Sequence, residues 1–364
     1  MTSRPPDARR ERGQMLVIFA GSLAAIILIV GLVIDGGYAL TQRRDAQNAA
    51  DFAALAGARI VAEQIGGDTT NGTDANVTAA ITTAISANGA AALTFGVAGS
   101  PQYVNSTGAI TPSAAAAASY VGNGTIPAGA VGVKVNSSRT WKPFFLGIIG
   151  VANWSASANA TAKGGYSAGG PGGSVFPAGI SLSFFQTYPF CSGPVSVDPT
   201  SPCYPKQLTP GNLNVPGGFG WLKFGCSGYG LGQDPPANIG GCGNDSPFLK
   251  TEIGPPSNSY GCCTQVGLAG LDQIGSLPGN KVDVSTSCDY YITNQVTVTV
   301  PVWDTAGGTG SNAWYHIVGF AGFQITGCSG GKDLAGVWRK VFFLGPTTSS
   351  PGFPGAALGV QLVQ

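Results

Sequence analysis

The sequence predicts an α+β fold with a long N-terminal transmembrane helix, a small α+β head and a mainly β, disulfide-rich C-terminal domain. Residues 15–34 form a run of twenty mostly apolar residues without a charge, and good helix formers follow to residue 64. Short strand-like runs rich in Val, Ile, Phe and Trp, separated by Gly and Pro, occur in both later parts. All eight cysteines lie beyond residue 190.

The first element is the apolar run 15–34. Twenty helical residues span ~30 Å, which is the thickness of the hydrocarbon core of a bilayer. A cleaved secretory signal is the alternative, but its apolar region has only about 7–15 residues and ends in a small-x-small cleavage site. Because this run is longer and continues into Asp35-Gly36-Gly37, we expect a retained transmembrane helix.

The distribution of arginines predicts the orientation of this helix. Arg4, Arg9, Arg10 and Arg12 precede the span, whereas the first basic residues after it are Arg43 and Arg44. Positive residues concentrate on the cytoplasmic side of membrane helices. We therefore expect a single-pass protein of the cell membrane, with residues 1–14 as a cytoplasmic tail and the domains after residue 34 extracytoplasmic.

Residues 35–64 are expected to extend the same helix outside the membrane. Small residues recur at three- and four-residue spacings and form one stripe: Ala46, Ala49, Ala50, Ala53, Ala56 and Ile60. We favour packing of this stripe against the protein's own head, and packing of the Ala-rich helix with copies of itself or with pilins is the alternative. Gly66-Gly67 is expected to end the helix.

Residues 65–163 are predicted to form the α+β head, residues 164–174 (GGYSAGGPGGS) a Gly-rich linker, and residues 175–364 the β domain. In the head, Val77, Ile81 and Ile85 indicate an amphipathic helix within residues 74–93 that ends near Asn88-Gly89. The predicted strands cover residues 93–98, 102–105, 130–136, 153–163, 296–303, 313–326 and 337–345.

The cysteines are expected to form disulfides because the predicted topology places them in an oxidising compartment. The candidates are Cys191, Cys203, Cys226, Cys242, Cys262, Cys263, Cys288 and Cys328. Eight cysteines allow about 105 pairings, so their connectivity stays open. Zinc is the alternative, but it usually requires close cysteine pairs or histidines, and we expect no metal or cofactor.

Composition argues against catalysis and against nucleic-acid binding. The chain has one histidine, His316, which lies in a strand-like run, and only 10% of its residues are charged. Acid–base chemistry has few candidate groups here, and we find no basic stripe that would neutralise phosphates. We therefore expect a protein that is not an enzyme and has no nucleic-acid partner.

The N-terminal motifs resemble those of TadE/TadG-like proteins, which are membrane-anchored, pilin-like components of the tight-adherence (Flp) pilus machinery. The resemblance rests on Arg12-Gly13, the apolar span, Asp35-Gly36-Gly37 and the run QNAADFAALAGA at 47–58. A second, weaker similarity covers residues 130–163, which include FFLGIIG. The residues that carry the family motif are Asp35, Gly37, Asn48, Asp51, Leu55 and Gly57.

This resemblance implies a non-enzymatic, pilin-like role in pilus assembly or in a related surface structure, with the bilayer and other pilus or secretion-system subunits as partners. Gly13 occupies the position of a prepilin cleavage site, but the fifth residue after it is Ile18 where prepilins carry Glu. We therefore expect the anchor to be retained. A surface adhesin or envelope-structural protein with a ligand-binding C-terminal domain is the alternative function, and an exported hydrolase is a weaker one.

Overall fold

The computed structural model describes residues 8–109, 119–167, 175–187, 190–208, 221–223, 274–276, 285–307, 314–329, 333–345, 347–348 and 356–363. The helices of these residues are α1 (Ala8–Ile65), α2 (Asp74–Ala87), α3 (Leu182–Thr187) and α4 (Ser285–Thr293), with a 3-10 helix at Leu146–Ile149. The strands of the first sheet are β1 (Gln102–Val104), β2 (Gly132–Trp141), β3 (Trp154–Ser167), β11 (Phe342–Leu344), β12 (Thr347–Thr348) and β13 (Leu358–Val363). The strands of the second sheet are β4 (Ile180–Ser181), β5 (Lys206–Leu208), β6 (Leu222–Lys223), β7 (Ile274–Ser276), β8 (Thr297–Gly307), β9 (Trp314–Ser329) and β10 (Asp333–Arg339).

Helix α1 is one continuous helix that contains both the apolar run and its predicted extension. Its 58 residues correspond to ~87 Å at 1.5 Å per residue. The segment Met15–Ile65 is long and apolar enough to cross a membrane. Within residues 15–34 Gly31 alone is buried, so this part is not the core helix of a globular domain. The long N-terminal helix of the predicted fold class is confirmed.

The extension of α1 packs against the first sheet, whose strand order is β1-β2-β3-β13-β11 with β12 paired to β3. Strands β2 and β3 form an antiparallel pair from Gly132↔Lys163 to Trp141↔Trp154. The close approach of helix and sheet depends on small residues. A Cβ on Gly164 would lie 2.3 Å from the carbonyl oxygen of Ala58, so glycine lets the backbone of β3 contact the backbone of α1.

The alanine stripe is buried inside this head. Ala46, Ala49, Ala50 and Ala53 have no exposed surface, and the latter three belong to the core that α1 shares with α2 and the first sheet. The favoured interpretation of the stripe therefore agrees with the structure. Self-association through the Ala-rich helix stays a prediction, and the four alanines, which the protein's own sheet and second helix cover, would not be its contact surface.

Helix α2 lies on α1 and follows the sequence pattern closely. Val77, Ile81 and Ile85 are buried on one face, and the Thr73 side chain accepts a hydrogen bond from the Asn76 N–H. The strand predicted at 93–98 does not form. Gly96 and Gly99 have φ angles of 73° and 91°, which belong to the left-handed region and interrupt an extended strand.

The second sheet has the order β4-β8-β9-β10-β5, with β7 paired to β9 and to β6. Its core contains large side chains such as Phe323 and Trp338, which pack at a ring-centroid distance of 4.9 Å. Two disulfides stabilise this region, Cys191–Cys203 and Cys288–Cys328. The mainly β, disulfide-rich C-terminal region is thus confirmed, and Cys226, Cys242, Cys262 and Cys263 lie outside the described residues.

The end of the chain returns to the first sheet. Strand β13 pairs antiparallel with β3 from Leu358↔Tyr166 to Val363↔Thr161, and β11 pairs parallel with β13. Residues 164–167 of the predicted linker are the last residues of β3, and residues 168–174 lie outside the described residues. The division of the chain into domains at the linker stays a prediction.

Candidate membrane-interface site

The connection between β2 and β3 folds back onto α1 at the end of the apolar run. The Asp35 carboxylate accepts hydrogen bonds from the backbone N–H groups of Phe144, Phe145 and Leu146, at 2.8, 2.9 and 2.7 Å. Asp35 as a whole is only 1% exposed. Asp35 therefore joins two segments of the head that are more than one hundred residues apart in sequence.

The need for an acceptor at this point follows from local structure. Residues 146–149 form a short 3-10 helix, and the first N–H groups of any helix lack a partner within the helix. Phe145 precedes this helix and provides no side-chain cap. A carboxylate that accepts from several N–H groups forms charge-assisted hydrogen bonds, so Asp35 supplies the missing cap from another element.

Gly31 provides a second contact, one helical turn before Asp35. A Cβ on Gly31 would lie 2.7 Å from Cβ of Phe145, which is closer than two carbon atoms can pack. Only glycine therefore lets Phe145 lie against α1 here. The loop is attached to α1 at two points, one in the last turn of the apolar run and one immediately after it.

The outer surface of this connection is apolar. We define the apolar loop as residues 144–151, with the sequence FFLGIIGV. Its exposed large apolar side chains are Phe144, Ile148, Ile149 and Val151. Ile148 is 79% exposed. Loops are normally polar because they face water, so this surface indicates a contact with something apolar.

Aromatic residues surround the base of the apolar loop. The Tyr38 ring packs edge-on against Trp141 and Phe144 at centroid distances of 6.1 and 5.3 Å, and Trp141 stacks on Trp154 at 6.0 Å. Tyr and Trp concentrate at the interfaces between membrane and water, where one end of each side chain is apolar and the other polar. We call these four residues the aromatic cluster.

The six motif residues lie along α1 and do not converge on one site. Asp35 caps the apolar loop, as described above. Gly37 and Asn48 are exposed, Asp51 accepts a hydrogen bond from Gln47 at 2.8 Å, and Leu55 packs against the core of the head. Gly13 lies within the continuous helix α1.

Gly57 has a packing role of its own. A Cβ at this position would lie 2.7 Å from Cγ2 of Val133 and 3.0 Å from Cδ1 of Ile81. The glycine thus allows α2 and β2 to meet on the same turn of α1. This motif position serves the fold of the head, and Asp35 serves the contact with the loop.

A cavity of about 700 Å³ lies between the end of α1 and the second sheet. Its charged lining residues are Arg59, Glu63, Arg339 and Lys340. Each of them has a partner in the protein: Arg59 pairs with Glu63, Arg339 donates to Gln324, and Lys340 pairs with Asp68. Burial raises the pKa of Glu63, an effect that the nearby cations only partly oppose. Within the described residues, the charged groups that line the cavity are therefore all hydrogen-bonded or paired inside the protein.

The remaining candidate residues do not form a catalytic or metal site in the described part of the chain. Cys191–Cys203 and Cys288–Cys328 lie in separate places. His316 contacts Asp304 at 2.7 Å near the protein surface, in agreement with its predicted position in a strand. No group of three or more His, Cys, Asp or Glu side chains that could hold a metal occurs among the described residues.

A family model matches the segment that holds Asp35 and Gly31. Residues 13–59 match the Flp pilus-assembly TadE/G-like family. This TadE/G-like segment includes the apolar run and most of the extension of α1, so the suspected family resemblance of the N-terminal segment is confirmed. No curated protein and no solved structure matches the chain.

The TadE/G-like match supports a role related to Flp pilus assembly. Together with the apolar part of α1, it is consistent with a membrane localisation. The family segment also contains Asp35, the residue that the structure uses to hold the apolar loop.

Sequence reasoning did not identify the apolar loop as part of a site. The signal was present, because FFLGIIG is an apolar run in a position where the flanking strands predict a turn. Its partner Asp35 could not be inferred, since no local pattern links two residues 109 to 111 positions apart.

Proposed function

We propose that this protein is a membrane-anchored, pilin-like, non-enzymatic component of Flp pilus assembly or of a related surface structure. Residues 15–34 anchor it in the membrane, the N-terminus is cytoplasmic, and the head and the second sheet are extracytoplasmic. The observation that carries the proposal is the TadE/G-like match over residues 13–59, which joins the apolar run to the helix on which the head is built.

The architecture supports a pilin-like role. The apolar half of α1 is exposed, and the other half packs against an antiparallel sheet and a second helix. Such a helix can hold a folded head at the membrane surface. The arginines before residue 15 support a cytoplasmic N-terminus, and the two disulfides support an oxidising compartment for the C-terminal region.

A structural role is also supported by the chemistry of the side chains. The chain contains a single histidine, and its ring contacts the carboxylate of Asp304 at the surface of the second sheet. The partners we propose are other pilus or secretion-system subunits. The exposed surface of the head and of the second sheet would contact them.

Deletion of the gene, followed by counting of surface pili by electron microscopy, tests the proposal. We expect pili to be lost or sparse, and to return when the full-length protein is expressed. A matched control replaces residues 1–34 with a cleavable export signal, and this released form should not restore pili. Normal pili combined with lost adhesion would contradict the proposal and favour an adhesin.

A further inference from the structure

We propose that the apolar loop inserts into the outer leaflet beside the transmembrane helix and gives the head a second contact with the same bilayer. This inference rests on the proposed function, because it takes residues 15–34 as a membrane anchor with the head outside. The partner of the exposed surface formed by Phe144, Ile148 and Ile149 is therefore lipid.

The apolar loop is held close to the end of the apolar run. Phe145 lies against Gly31, one turn inside the apolar run, and Asp35 directly follows that run. The loop is therefore held at the level where the hydrocarbon core ends. Val33 and Ile34 of the span, which lie on α1 between Gly31 and Asp35, are also exposed, so the span and the loop both present apolar side chains to the surrounding medium at this level.

The backbone hydrogen bonds of the apolar loop are compatible with contact with lipid. Backbone N–H groups that enter lipid must find partners within the protein, because each unpaired group costs several kcal/mol there. Asp35 accepts from residues 144, 145 and 146. The N–H groups of 148, 150 and 151 donate to the carbonyls of 145, 147 and 146, at 3.0, 3.3 and 3.1 Å. These six groups thus already have acceptors.

The charge of Asp35 is also satisfied within the protein. A carboxylate at the edge of the hydrocarbon core is unfavourable unless it is paired or kept away from lipid. Three N–H groups surround this carboxylate, and the residue is only 1% exposed. Asp35 is therefore a positioning residue: it fixes the loop and does not itself face the lipid.

The residues next to the loop match the composition of an interfacial segment. The aromatic cluster lies at its base, and Lys142 is exposed between Trp141 and the loop. Aromatic rings and a cation next to an apolar tip are found where a segment crosses from lipid to headgroups. A second contact with the bilayer would fix the rotation of the head about the axis of α1 and hence the face that it presents to other subunits.

Quenching of tryptophan fluorescence by brominated lipid tests this inference in the full-length protein. The variant Ile148→Trp places a ring at the exposed tip of the loop. The matched control is Leu344→Trp, because Leu344 is 77% exposed. Leu344 pairs with Val360, and Val360 pairs with Gly164, which contacts Ala58 of α1. Leu344 therefore lies near the level of Ala58, ~35 Å from Asp35 along α1.

Both variants and the parent protein are reconstituted in phosphatidylcholine vesicles with and without bromine on the acyl chains. We expect the fluorescence added by Ile148→Trp to be blue-shifted and lost in brominated vesicles, and that added by Leu344→Trp to be unaffected. The inference would be overturned if brominated lipid quenched the added fluorescence of neither variant. A blue shift that grows with the protein-to-lipid ratio without quenching would also overturn it, because that result would identify a protein contact.

Extraction of the same vesicles with alkaline carbonate separates this inference from the proposed function. Protein that stays in the membrane while Ile148→Trp is not quenched would overturn the loop insertion alone. Protein that is released by carbonate would contradict the membrane anchor, and with it both proposals.

Discussion

At the scale of single residues, Asp35 and the glycines of α1 decide how the head is joined to the apolar run. Asp35 accepts three backbone hydrogen bonds from the apolar loop. Gly31 and Gly57 allow Phe145 and Ile81 to lie against the helix. Other polar residues of α1 contact the first sheet, as Gln42 and Asp45 do through Arg139, or make local contacts, as Asp51 does with Gln47.

Removal of the carboxylate at position 35 should release the apolar loop. We expect Asp35→Ala to increase amide hydrogen exchange at residues 144–146, because the three N–H groups lose their acceptor. Asp51→Ala is the control, since Asp51 also lies on α1 but its side chain accepts only from Gln47 nearby. Mass spectrometry of exchanged peptides measures the effect, and equal exchange in both variants would contradict it.

The two motif glycines should respond differently to alanine. Gly57→Ala is expected to destabilise the head by about 1–3 kcal/mol relative to Gly37→Ala, because the new methyl group overpacks Val133 and Ile81. A Cβ on Gly37 would have no heavy atom within 4 Å, so alanine there should be neutral or slightly stabilising. Denaturant unfolding in detergent measures the difference, and similar midpoints would show that packing at Gly57 is unimportant.

At the scale of elements, the head and the second sheet are connected by contacts that are distant in sequence. Strand β13 completes the first sheet, and Ala357 donates its N–H to the carbonyl of Phe320 in β9 at 2.6 Å. Asp68, in the turn after α1, pairs with Lys340 between β10 and β11. The disulfide Cys288–Cys328 joins α4 to β9.

The Asp68–Lys340 pair predicts a pH dependence of stability. Partial burial opposes ionisation of Asp68, but hydrogen bonds from Lys340 and Asn71 outweigh it and hold its pKa well below the usual value of 3.8. A depressed pKa stabilises the folded state above the pKa of the unfolded chain, and this contribution is lost as the pH falls below it. Asp68→Asn should therefore lower the melting temperature at neutral pH.

The difference between Asp68→Asn and the parent protein should shrink as the pH falls from about 5 towards 2, because the Asp68 carboxylate of the unfolded parent chain is protonated over this range while that of the folded protein is still ionised. Thermal unfolding followed by circular dichroism over this range measures it. Asn71→Ala removes a hydrogen bond to Asp68 but keeps the ion pair, so it should show the same pH dependence with a smaller loss than Asp68→Asn. If the difference in melting temperature between Asp68→Asn and the parent protein did not change with pH, the ion pair would not contribute to stability.

The two disulfides should contribute unequally. They close loops with sequence separations of 12 and 40 residues, and in the chain-entropy model their removal costs about 3 and about 4 kcal/mol. The paired variant Cys288→Ala/Cys328→Ala is therefore expected to be less stable than Cys191→Ala/Cys203→Ala. Unfolding in guanidinium measures both, and the reverse order would show that strain or residual structure dominates.

The sequence allowed prediction of the elements whose residues repeat at a regular spacing. Val77, Ile81 and Ile85 predicted the buried face of α2, and the alanines at 46, 49, 50 and 53 predicted a helix face that packs closely. It did not allow prediction of contacts set by tertiary structure. The capping of the loop by Asp35 and the return of β13 to β3 depend on chain segments that no local pattern relates.

At the scale of the whole molecule, one helix joins an apolar half to a folded half. The exposed run 15–34 requires an apolar environment, and the buried alanines after it require the head. The TadE/G-like match covers both halves of this helix. The proposed function therefore depends on one topology, in which the chain crosses the membrane once with residues 1–14 inside and the head outside.

Protease treatment of intact spheroplasts tests this topology most directly, with one epitope tag at the N-terminus and another at the C-terminus of the full-length protein. The topology predicts that external protease removes the C-terminal tag, whereas a short membrane-bound fragment keeps the N-terminal tag until the cells are lysed. Survival of the C-terminal tag in intact cells, or loss of the N-terminal tag before lysis, would contradict it.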